Sequence, residues 1–266
     1  MLDAASFFDL TEFFHREIFQ DSEYVWDGLV NLKPYMKSLD YSSFRHEEVQ
    51  DGIPLRNHLI YYQGSLQSGR DCSFSWDDVG RGKLSVIRDG QLLAGASVIM
   101  AGAVLMGREI QLGQGVLVES GALIKSPAVI GDYTEVRQGA YLRGYCLTGK
   151  RCVIGHTTEV KHSIFLNDAK AGHFAYLGDS ILGNDANLGA GTKFANLRFL
   201  PGNVQVRTEK GVLDTGLRKL GAILGDRVQT GCNSVTNPGT LIGQEGILMP
   251  NTTAGSGFHA PRKIIR

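Results

Sequence analysis

Stepping by six residues from Leu112 lands on Leu112, Val118, Ile124, Ile130, Val136, Leu142, Thr148, Ile154 and Val160, and eight of these nine are aliphatic. An α-helix cannot use such a period, because its apolar stripe follows 3.6 residues per turn. A plain strand alternates at two and runs for only about 4–8 residues. A period of six held over many steps requires short strands joined by tight corners, with each aliphatic pointing inward to stack on its neighbours in the next coil. The step returns at Leu224, Thr230, Thr236, Ile242 and Leu248, and an earlier run of Val86, Leu92, Val98 and Val104 holds it out of register with the rest. Glycine is 34 of 266 residues, roughly 13% against a usual ~7%. It is dispersed rather than clustered, as expected if coil corners need small residues or positive φ.

The lattice predicts an all-β solenoid over residues 85–251, with two breaks. The step is irregular between Val160 and Leu182, and it disappears over about 193–220, which predicts an excursion in the form of a hairpin arm. Residues 252–266 are expected as a C-terminal tail. Residues 1–84 have a different texture. Phe7, Phe8, Leu10, Phe13, Phe14, Ile18 and Phe19 fall at helical spacings with Asp9, Glu12, Arg16 and Glu17 between them, which predicts an amphipathic helix. The whole segment is expected to be a small helical or α+β accessory domain, with His15, His46 and His58 as ordinary surface or core histidines.

Charge and composition narrow the function classes. Lys+Arg and Asp+Glu are both 27, which argues against a dominant nucleic-acid footprint. No apolar run approaches the ~18 residues of a transmembrane helix, and the opening residues carry acids where a secretory signal carries basic ones. Four cysteines in a chain of this length do not make a disulfide framework. A cytoplasmic protein with no membrane partner is the expectation.

The most specific motif runs from Lys170-Ala171-Gly172-His173 through Tyr176-Leu177-Gly178-Asp179 to Asn187-Leu188-Gly189-Ala190-Gly191-Thr192. With the repeat, it resembles the hexapeptide-repeat acyltransferases, whose fold is a left-handed parallel β-helix. It is most similar to the acetyltransferase half of the bifunctional enzymes that make UDP-N-acetylglucosamine. Ala195-Asn196-Leu197-Arg198-Phe199 and Thr215 to Gly221 give it an archaeal cast. The resemblance covers about Ile130 to Pro250 and leaves out residues 1–84 and any nucleotidyltransferase domain. It implies N-acetyl transfer from acetyl-CoA to an amino-sugar phosphate, most simply glucosamine-1-phosphate, by a homotrimer with no metal. The alternatives are transfer to a different nucleotide-linked amino sugar, or a catalytically weak scaffold that binds a sugar phosphate.

Attack of a sugar amine on a thioester needs a base, and histidine titrates near ~6.5. The resemblance implies that His173 is that base and that the Ala190 amide stabilises the oxyanion. It further implies that Arg143 and Lys161 bind the phosphate, and that Glu159, Tyr176, Asn187, Asn196 and Lys219 contact the sugar substrate. Arg143 and Lys161 lie 18 residues apart, three steps of six, which stacks them on one face if a coil takes three steps. Asn196, Cys232 and Pro250 are the implied CoA contacts, although the family commonly has serine where this chain has Cys232, a weaker hydrogen-bonding group. Arg262 and Lys263 are either a solvated terminus or cations for CoA phosphates. A three-histidine metal site built from His156, His162 and His173 is disfavoured, since their spacings of 6 and 11 do not fit the metal-binding pattern of this fold.

Overall fold

A computed structural model describes residues 2–266. Its core is a three-sided solenoid, the left-handed parallel β-helix that the period predicts. Nine short strands stack in parallel on the first face, from Ser97–Ile99 through Val153–His156, Lys170–His173 and Asn187–Leu188 to Ile264–Ile265. The second face has eight, including Leu123–Lys125, Tyr141–Arg143, Glu159–Lys161, Tyr176–Gly178 and Lys193–Phe194. The third also has eight, from Ile110–Leu112 to Gly257–His259. All nine positions of the lattice from Leu112 to Val160 are buried inside the coils.

The irregularity after Val160 has a simple cause. Phe165 is paired with Thr148, and Leu182 with Phe165, so both are inward positions. The step shortens to five from Val160 to Phe165 and again from Leu177 to Leu182. Coils here therefore repeat at 17 residues, as in the pairing of His156 with His173, where Tyr141 and Glu159 are 18 apart.

Three expectations are corrected. The run of Val86, Leu92, Val98 and Val104 is not a coil lattice. Leu84–Arg88 and Gln91–Leu92 form an antiparallel sheet with Cys72–Trp76, Leu92 is exposed, and the inward residues of the first coil are Ile99 and Leu105. The expected tail is a further coil, because Thr253–Ala254, Gly257–His259 and Ile264–Ile265 each join a face, and Arg262 pairs with Glu245 at 2.7 Å. Residues 7–19 do not form an amphipathic α-helix. They carry a short 3-10 turn at Arg16–Phe19, and the α-helix lies later, at Asp27–Ser38, running through Pro34.

The reason lies on the third face. Its outward positions Val129, Leu147, Ile164, Ile181, Ile223 and Leu241 are apolar, and they share one buried cluster with Phe7, Phe13, Trp26 and Leu29 of the N-terminal segment. The aromatics are therefore arranged to cover a flat β-face and not to line one side of a helix. The excursion forms an antiparallel hairpin, Gln205–Thr208 with Gly211–Asp214, and its Val204 and Val206 enter the same cluster. The third face is thus covered, while the corner between the first and second faces remains open.

Half of the glycines sit at positive φ, as expected of corners, among them Gly95, Gly121, Gly139 and Gly191, but not every corner uses one. Many corners place a non-glycine residue in the left-handed region, such as His162, Phe174, Asp179 and Asn233. That conformation costs a non-glycine residue of order 1–3 kcal/mol when the surroundings hold it. Gly155 instead serves close stacking, since a Cβ there would overlap the backbone of Gly172 in the next coil.

His15 lies buried in the cover, with its Nδ1 2.8 Å from the Tyr35 hydroxyl, and burial pushes its pKa down to about 4. An unfolded histidine binds its proton near ~6.5, so between those values the unfolded chain holds a proton that the folded chain refuses. This contribution to stability is complete above about pH 6.5 and is lost as pH falls toward 4, amounting to roughly 3 kcal/mol. Thermal unfolding followed from pH 7 to 4 should show a smaller loss in His15→Gln than in the unaltered protein. Parallel curves would contradict the assignment.

Candidate active site at the corner between two faces

Pairing registers bring the candidate catalytic residues onto one line. His156 pairs with His173, Ala171 with Leu188, Leu188 with Thr230, and Thr230 with Leu248. Continuing each register by two residues puts His173, Ala190, Cys232 and Pro250 at equivalent positions on successive coils. The column runs along the corner at the end of the first face. His173 is exposed, and its ring stacks on that of His156 with centroids 5.8 Å apart. Its carbonyl accepts from the Gly191 N–H at 3.0 Å, which ties it to the turn bearing Ala190. The Ala190 N–H itself donates to no other group among the described residues.

A groove of about 900 Å³ runs along the first face beside this column. It is lined by His173, Asn187, Ala190 and Cys232, with Arg137, Arg151 and Lys170 along its floor. Asp77, Asp78, Gly80 and Arg81 of the N-terminal segment form part of its wall, a contribution that nothing in the sequence signalled. Pro250 is exposed and lies outside the groove lining, stacked against Gly231.

The substrate candidates gather on the second face, just beyond the corner. Tyr141, Glu159, Tyr176 and Lys193 form one outward ladder, and Arg143 stacks beside Lys161 in the next. The predicted stacking of the two cations holds, but each already has a carboxylate partner. Arg143 donates to Glu159 Oε1 at 2.6 Å, which raises the guanidinium pKa. Lys161 Nζ donates to both oxygens of Asp179, at 3.2 and 3.3 Å.

Asp179 is the residue that sequence reasoning passed over, although it stands within the quoted motif. It is buried, accepts from Asn196 Nδ2 at 2.6 Å, and lies 2.9 Å from His162 Nδ1. Burial raises its carboxyl pKa, but the His162 bond, the Lys161 charge and the Asn196 bond outweigh that and hold it below the usual carboxylate range. His162 therefore faces away from His156 and His173, and its Nε2 is buried without a partner among the described residues. The three histidines do not converge, and no group of three metal-binding side chains occurs among the described residues.

Gly178 follows Lys161 in the cation ladder, and a Cβ there would collide with the Asn196 amide and the Tyr176 hydroxyl. The missing side chain lets those two groups close over the end of the pocket. Burial raises the Tyr176 phenol pKa, and the charges of Glu159 and Asp179 raise it further. Lys219 is exposed and bridges to Leu197 through its backbone, while the next amide, Leu220, donates to the Asn196 carbonyl at 3.1 Å. The excursion thus returns beside this cluster. Asn187 stands apart from Tyr176, on the first face.

The chain is thus a left-handed parallel β-helix with a histidine at one corner and paired cations on the adjoining face. Residues 124–230 match the family profile of the GMPPB C-terminal domain. The chain is 40% identical over 111 residues to the bifunctional sugar-1-phosphate nucleotidylyltransferase/acetyltransferase of Sulfurisphaera tokodaii, covering 42% of this chain and 28% of that protein. It is 38% identical over 112 residues to the bifunctional protein GlmU of Methanococcus vannielii, covering 42% and 27%. For the GlmU of a Picosynechococcus species the figures are 31% over 124 residues, 47% and 24%. The matched stretch is the C-terminal acetyltransferase region of these proteins, so the chain spans about a quarter of the length of the curated relatives it matches. Among solved structures, a perosamine N-acetyltransferase from Caulobacter crescentus, in complex with CoA and GDP-perosamine, superposes with a TM-score of 0.31 at 25% identity, covering 36% of this chain and 47% of that one.

Proposed function

We propose that this protein is a cytoplasmic acetyl-CoA-dependent N-acetyltransferase acting on an amino-sugar phosphate, most simply glucosamine-1-phosphate. One observation carries this reading: the column of His173, Ala190, Cys232 and Pro250 stands at the corner where the second face begins, and that face bears Glu159 and Tyr176 next to the corner and Arg143 and Lys161 across from it, with only Phe174 and Ala175 between His173 and Tyr176. The acceptor's phosphate sits by Arg143 and Lys161, and its amine reaches the corner. The amine nitrogen attacks the thioester carbon, and His173 takes the N–H proton. The Ala190 N–H stabilises the oxyanion. The C–S bond then breaks, and the CoA sulfur leaves and is protonated, with no acyl-enzyme. Glu159, Tyr176, Asn187, Asn196 and Lys219 orient the sugar, while Asn196, Cys232 and Pro250 flank the pantetheine arm.

His173 and Phe174 are exposed, so an acceptor bound to one chain is open to water on one side. Closure by neighbouring copies in a cyclic homotrimer completes the pocket. No helix among the described residues is long and apolar enough to cross a membrane.

The test is product formation. The protein, acetyl-CoA and a panel of amino sugars, free, 1-phosphorylated and nucleotide-linked, are incubated and the products are weighed by mass spectrometry. Acetylation of phosphorylated acceptors with release of free CoA is expected. Acetylation of none, with sugar phosphate still bound, would leave a binding scaffold in its place.

A further inference from the structure

Lys125 stands outside the pocket described above, yet it lies in line with it. It pairs in register with Arg143, and Arg143 lies one coil before Lys161, so the three cations form a ladder with rungs about 4.8 Å apart. Ile124, Leu142 and Val160 point inward and are buried, so all three cations project from the same face. Like charges on directly opposed rungs repel. The fold offsets two of them, Arg143 with Glu159 and Lys161 with Asp179. Lys125 has no carboxylate within ion-pair distance among the described residues. Its ammonium lies 5.4 Å from the centroid of the Tyr141 ring, and the Arg143 guanidinium lies 5.9 Å from the same centroid. Two cationic heads thus converge over one ring, and one of them is uncompensated.

A phosphate monoester held between Arg143 and Lys161 occupies two rungs and leaves the third charged, facing the same side. We infer that this face binds a diphosphate in preference to a monophosphate, with Lys125 holding the second phosphate. Among phosphorylated amino sugars, one linked through a diphosphate is then held more tightly at this face than glucosamine-1-phosphate, the simplest acceptor of that reading. This rests on the second face being the phosphate site of the proposed acetyltransferase. Amine attack at the corner is unaffected, because the second phosphate extends away along the ladder, toward the first coils.

Calorimetric titration with inorganic phosphate and inorganic pyrophosphate separates the possibilities. The unaltered protein should bind pyrophosphate more tightly. Lys125→Ala should weaken pyrophosphate by about ten- to hundredfold and phosphate by less than about threefold, since a charge-assisted contact is lost from one ligand only. Lys125→Arg should restore most of the loss. Equal affinity for the two anions in the unaltered protein, or equal losses in Lys125→Ala, would overturn the inference. Arg143→Ala, run alongside, should weaken both anions. If it does so while Lys125→Ala weakens neither, the diphosphate preference fails and the phosphate site stands. If Arg143→Ala weakens neither, the phosphate site itself fails.

Discussion

Replacing His173 by alanine should lower turnover with acetyl-CoA by roughly 10²–10⁴, the usual contribution of one general base. The imidazole acts in the transition state, so the affinity for a sugar phosphate should change little. Structure should also survive, because His173 is exposed and its contacts are stacking on His156 and a backbone bond to Gly191. The measurement is acetyl transfer by the two proteins at saturating substrates. The amine acceptor titrates as well, so the pH profile alone does not assign the proton acceptor, whereas the comparison at each pH does. Equal rates would make His173 a packing residue and remove the chemical basis of the proposed mechanism.

The second large effect is on folding. Phe165 is fully buried inside the coil, paired between Thr148 and Leu182 at the point where the repeat shortens to 17 residues. Truncating a buried phenylalanine removes its transfer energy and leaves a cavity, costing about 3–5 kcal/mol. The coils above and below are fixed by continuous parallel ladders, which limits their collapse into the void. Phe165→Ala should therefore lower the melting temperature by about 10 °C. A drop of only a degree or two would mean that the interior repacks around the gap.

These two residues also mark how far the sequence was legible. From Leu112 to Val160 every coil has three equal sides, and the inward positions follow from counting. Past Val160 a corner loses one residue, and Phe165 becomes visible only through its partner strand. Arg143 and Lys161 were placed together because the 18-residue coil holds between them. The stacking of His156 on His173 was hidden, because those residues are 17 apart. The false lattice at Val86, Leu92, Val98 and Val104 arose because antiparallel strands also carry spaced aliphatics, and only the pairing tells the two apart. Asp179 was in plain view within the motif, but its role depends on a burial and a set of partners that no spacing encodes.

The N-terminal segment shows the same limit from another side. Phe7 and Ile18 are spaced as a helix would space them, yet with Phe13 they answer to the flat row of Val129, Leu147, Ile164 and Ile181. That row was readable in principle, as an extra aliphatic just before or between the inward ones on every third side. Its meaning is that something must cover that face, and by covering it the segment leaves the corner of His173 and Tyr176 accessible.

A crystal structure of the protein with CoA and glucosamine-1-phosphate bound tests the central claim most directly. The proposed mechanism predicts the phosphate within hydrogen-bonding distance of Arg143 and Lys161, the amine facing His173, and the CoA sulfur beside Ala190 and Cys232. A phosphate bound elsewhere, or a CoA sulfur far from His173, would contradict it.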